Sequence, residues 1–196
     1  MLLKTRVGGF ANRVLRSTAG LWLPMQDLCV PLHDNILLVV DGKGGKRLYA
    51  AHNIVTDAGD TWYAQSACGE TPTNDFDSLY LSSVNWTTTP AKDHNSSDIA
   101  SMISGSEKAV SATYPKTNDA DADNTGAGVD IVTWLFSYAK TDFNDADIEG
   151  GAISIASVPA WGSGSTPLLT NFNITSFAKT ANDTLKVFVN HEMLGV

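Results

Sequence analysis

The chain has 196 residues, a net charge of −8, only 17% charged residues and 9% aromatics. That length supports one domain with a full core of its own, and the acidic balance argues against nucleic acid as a partner. No stretch approaches the ~20 apolar residues that cross a bilayer, so no membrane partner is expected.

Residues 1–26 form an arm with its own charge. Lys4, Arg6, Arg13 and Arg16 lie in it, and the first acid is Asp27. The arm therefore carries four of the 13 bases, while the remainder sets nine bases against 21 acids. Opposite charge in arm and body suits contacts between copies of one protein, whereas the plainer reading is a solvated terminus. Phe10, Val14 and Leu15 fit one side of a short helix, but Gly8, Gly9 and Gly20 favour an extended arm equally. Leu21, Trp22 and Leu23 make an apolar knot that needs a surface to bury against. Gly8, Gly9, Asn12 and Arg13 interrupt any secretory apolar region.

From residue 36 the pattern becomes β. Ile36 to Val40 is an apolar run of strand length, Asp41 to Gly45 a glycine turn, and Lys46 to Val55 a returning strand. Asp57 to Asp60 reads as a turn, and Thr61 to Ala67 as a third strand. Leu79 to Val84 reads as a fourth. A long polar excursion at about 85–128 then holds a candidate short helix from Ser97 to Gly105 and a candidate edge strand from Lys108 to Tyr114. Val129 to Ala139 is expected to be the central strand. Val132, Trp134, Phe136 and Tyr138 share one face, Ile131, Thr133, Leu135 and Ser137 the other, and both faces are largely apolar. Asp142 to Asp147 is read as a turn, with strands at 152–156, 168–177 and 184–193. These elements predict a mainly β fold in residues 27–196: a single antiparallel β-sandwich, jelly-roll-like, with the extended N-terminal arm and one or two short helices.

Chemistry is sparse. Asp119, Asp121 and Asp123 alternate, with Asp130 further on. Such spacing suits a calcium loop, but it lacks the sharp-turn glycine, the twelfth-position glutamate and the flanking helices of an EF-hand. The competing reading is an acidic turn whose Asp and Asn side chains bond their own backbone. His33, His52, His94 and His191 form no zinc-type pair, and Cys68 has no diagnostic flank of a nucleophile. Cys29 and Cys68 read as reduced, mostly buried thiols. No catalytic residues and no cofactor are expected. Trp134 reads as core, whereas Trp86 and Trp161, in polar loops, read as platforms for a glycan or a partner protein.

One likeness covers roughly residues 108–193. Val132-Thr133-Trp134 with Phe136 to Tyr138, then Ile148 to Ile155, then Phe177, Lys179 and Asp183 to Glu192, resemble the successive strands of small virion proteins of tailed bacteriophages. The resemblance implies a virion location, a structural role and repeated copies that contact one another and other virion proteins. It carries no functional residues. The expectation is a non-enzymatic capsid decoration or cement protein, or a collar or tail component. The alternative is a carbohydrate-binding module, calcium-dependent if the aspartate loop holds a cation.

Overall fold

A computed structural model describes residues 14–15, 35–83 and 89–193. Ten strands and one helix lie within them. The strands are β1 (Val14–Leu15), β2 (Asn35–Gly42), β3 (Gly45–Val55), β4 (Phe76–Ser82), β5 (Lys108–Ala109), β6 (Lys116–Thr117), β7 (Ile131–Tyr138), β8 (Asp145–Ile155), β9 (Leu168–Lys179) and β10 (Thr184–Glu192), and the helix is α1 (Asp57–Ala67).

Every pairing is antiparallel. The order along the sheet is β5-β4-β8-β9-β3-β2-β10-β7-β6, and β1 pairs with β3 off that path. β3 changes partner along its length: residues 45–52 pair with β2, and residues 53–55 pair with β9. The sheet therefore has two halves that share one strand, and it curls into a half-barrel. On the opposite side, the segment after β5 runs from one margin of the sheet toward the other. Val110 donates its amide to Asp77 (2.7 Å), and Ser111 donates to Leu135 of β7 (2.8 Å). The expected antiparallel, mainly β architecture is present, as one curled sheet.

The period of two explains the core. Ile36, Leu38 and Val40 of β2, Trp134 and Phe136 of β7, and Val187 and Val189 of β10 pack against Leu79, Leu81, Ile153 and Phe172 from the other half. The alternate residues build a second cluster on the outside: Leu37, Val39, Leu135 and Phe188, with Tyr114, Leu48 and Ala50 against it. Thus β7 is apolar on both faces because both faces are covered. A third cluster, Ile99, Ala152 and Leu168, lies under Met102 and Trp161.

Several local expectations are corrected. Residues 57–67, read as a turn and a strand, are α1. Thr56 caps it, its hydroxyl accepting from the Gly59 amide (3.1 Å), and Asp57 and Asp60 sit in the first turn, where the helix dipole favours acids. No helix occupies 97–105. There Asn95 and Asp98 close turns, with Asp98 accepting from the Asn95 amide (2.8 Å), and Met102 only bridges to Ser82. The edge strand shrinks to β5, and β8 begins at Asp145 inside the supposed turn. Gly150 and Gly151 hid β8, because glycine weakens a strand pattern. At Gly151 a Cβ would lie 2.5 Å from the Tyr80 carbonyl and 2.8 Å from the Phe172 ring, so only glycine permits this strand packing. Cys68 ends α1 as an exposed free thiol, not a buried one, while Cys29 lies outside the described residues. No described helix is long and apolar enough to cross a membrane.

Candidate functional site

The aspartate loop is built from successive side-chain turns. Asp119 accepts from the Asp121 amide (3.2 Å), Asp121 from the Asp123 amide (3.0 Å), and Asn124 from the Gly126 amide (3.2 Å). The alternate spacing thus follows from each side chain bonding the backbone two residues on. At its base, the Asn118 amide donates to the Gly128 carbonyl (2.8 Å).

Three lysines hold the loop against the sheet. Lys186 of β10 reaches Asp121 (2.8 Å) and Asp123 (3.1 Å), Lys46 of β3 reaches Asp123 (2.6 Å), and Lys116 of β6 reaches Asp119 (3.1 Å). Burial opposes ionisation of Asp119, but hydrogen bonds from Asn124, Tyr114, Lys116 and the Asp121 amide outweigh it and hold its carboxyl below the usual range. Asp123 behaves alike: burial raises it, and Lys46 and Lys186 pull it lower. Burial lowers Lys186, yet its bonds to Asp121 and Asp123 leave it raised.

Beneath the loop is a closed polar network. Asn124 Nδ2 donates to Asp119 (3.1 Å), Thr133 (3.3 Å) and Asn190 (3.2 Å), and Thr133 Oγ1 donates to Asn190 (2.8 Å). Asn190 Nδ2 donates to Asn35 (3.0 Å) and Asn124 (3.1 Å). These groups are buried, and the network ties the loop to β2, β7 and β10.

A second feature is an open groove of about 500 Å³ between α1 and the β6–β7 margin, lined by Trp62, Tyr63, Pro115, Lys116, Val132 and Met193 among others. Behind it, Trp134 Nε1 donates to the Tyr63 hydroxyl (2.9 Å), which lies 2.6 Å from His191 Nδ1. The Tyr63 hydroxyl can donate to Nδ1 or accept from it, according to the imidazole tautomer, and Nε2 is buried without a partner. Burial drives His191 down to about 3.

The structure brings Asp119, Asp121 and Asp123 together but leaves Asp130 apart, exposed and bonded through its carbonyl to the Met193 amide (2.8 Å). Among the described residues, no group of three or more His, Cys, Asp and Glu side chains is arranged to hold a metal ion. A calcium ion would have to replace the lysines at Asp121 and Asp123. Trp161 is half-buried, packed on the third cluster with its ring 4.9 Å from that of Tyr80. Lys4, Arg6, Arg13, Arg16, Trp22 and Trp86 lie outside the described residues. The reading from sequence missed Trp62, Tyr63 and His191. The aromatic pair had been placed on a strand, and the unrecognised signal was Thr56 as a helix cap.

No protein-family model, curated protein or solved structure matches this chain.

Proposed function

We propose that the chain is a non-enzymatic structural protein of a tailed-bacteriophage virion, present in multiple copies as a capsid decoration or cement protein or as a collar or tail component. The pairing of β1 with β3 carries this reading. It joins the basic arm to an acidic body by strand addition, a mode of association that also works between molecules. Support also comes from the aspartate loop, whose acids are taken up by the protein's own lysines and amides. On this reading the curled sheet serves as a sandwich-like, jelly-roll-like body, and the strands that resemble phage proteins, β7 to β10, lie in both of its halves.

Sedimentation of the purified chain tests the proposal. The full chain is expected to sediment as a defined multimer, and a chain lacking residues 1–26 as a folded monomer that melts at a lower temperature, because the ladder of β1 on β3 is lost. A full chain that is monomeric at all concentrations overturns the assembly reading. A truncated chain that assembles as the full one does overturns the arm's part in it.

A further inference from the structure

We propose that the edge of β3 at Leu48 and Tyr49 is a strand-acceptor site, and that in the assembled state its occupant is β1 of a second copy of this chain. This deepens the assembly reading above and rests on it.

The site follows from the way β3 changes partners. Its pairing with β9 ends at Asn53 opposite Phe172, whereas β9 continues along β8 as far as Lys179. The backbone ladder between the two strands stops there, which leaves a notch in it. Side chains cross it: Arg47 donates to the Ala178 carbonyl (3.3 Å) and to Asp183 (3.3 Å), and the Tyr49 ring stacks on Phe177 with centroids 4.7 Å apart. On the notch side of β3, the residues before Asn53 have no ladder to β9. β1 supplies one, with Val14 opposite Tyr49 and Leu15 opposite Leu48. An unfilled edge here would leave backbone groups without partners beside a buried tyrosine.

Any copy's β1 fills the notch with the same residues in the same register, so the choice between its own arm and a neighbour's is set by local concentration and charge. Two matched backbone positions tie an arm only weakly to its own body. The bodies carry a large excess of acids and repel one another, while each arm carries Lys4, Arg6, Arg13 and Arg16 without an acid. An arm that crosses to a neighbour places this positive charge between two negative bodies; an arm that folds back does not.

The test uses full-length chains in which Cys29 and Cys68 are serine. Leu15→Cys and Leu48→Cys are made in separate chains of distinguishable size, co-expressed, oxidised and run on non-reducing gels. Directly opposed strand positions bring Cβ atoms close enough for a disulfide. The expected result is a linked pair containing one chain of each kind, lost on reduction, in samples that sediment as multimers. A double variant, Leu15→Cys with Leu48→Cys in one chain, is expected to link between chains. Multimers without the mixed pair, or a double variant that links only within one chain, overturn a second copy's β1 as the occupant and leave the assembly reading standing. Monomers without the pair overturn both.

Discussion

His191 shows how one residue sets the behaviour of a region. Its ring is wholly enclosed, holds the Tyr63 hydroxyl through Nδ1 and titrates near 3, against 6.5 when solvated. A basic group depressed on folding stabilises the native state while it is neutral. As pH falls below 6.5 the unfolded chain takes up the proton and the native chain does not, so stability falls by about 1.4 kcal/mol per pH unit until roughly pH 3. Asp119, Asp123, Asp142 and Asp183 are held below 3.8, and their contributions are lost only as pH falls below about 4. Two acid phases are therefore expected in urea denaturation followed against pH. His191→Gln keeps an acceptor for Tyr63 but cannot titrate, so it should flatten the phase between pH 6 and 4.5 by about one proton and leave the lower one. An unchanged slope would mean that the ring is not enclosed.

At the scale of elements, α1 and the aspartate loop are opposite cases. The Trp-Tyr pair in α1 signalled a strand, yet the cap at Thr56, Asp57 and Asp60 in the first turn, and the close seat of Gly59 on β9 select a helix. A Cβ on Gly59 would lie 2.2 Å from the Leu169 carbonyl. Intrinsic propensity favours Gly59→Ala by about 1 kcal/mol, but the clash with backbone should reverse the sign, for a net loss of about 1–3 kcal/mol in denaturation experiments. The loop's acidic spacing, by contrast, was legible, and so was its reading as a self-bonded turn. Its lysine partners were not, because Lys46 and Lys186 are brought to it by tertiary structure from distant positions. Since these cations already meet the carboxylates, the melting temperature should be the same with calcium as with chelator. A rise in calcium would show that the ion displaces the lysines.

For the whole molecule, hydrophobic alternation carried most of the information. β2, β3, β7, β9 and β10 could be read from it because a strand of a curled sheet must bury one face, and the covered outer cluster explains the doubly apolar β7. The sharing of β3 between two partners left no mark in sequence, because pairing depends on where strands meet. The half-burial of Trp161 left no mark for a similar reason: its loop is polar, but Ile99, Ala152 and Leu168 lie beneath it. The charge contrast between residues 1–26 and the remainder was plain from sequence alone, and the pairing of Val14 and Leu15 with β3 was not.

The shared strand also governs how the molecule comes apart. One strand, β3, completes the ladder of β2 and, a few residues later, that of β9, and the interior packing joins residues from both halves. Neither half can melt alone without stripping β3 from the other and opening the common interior to water. The halves are therefore a single cooperative unit, and heat should dissolve them in one transition, with no half-folded species to present raw strand edges to its neighbours.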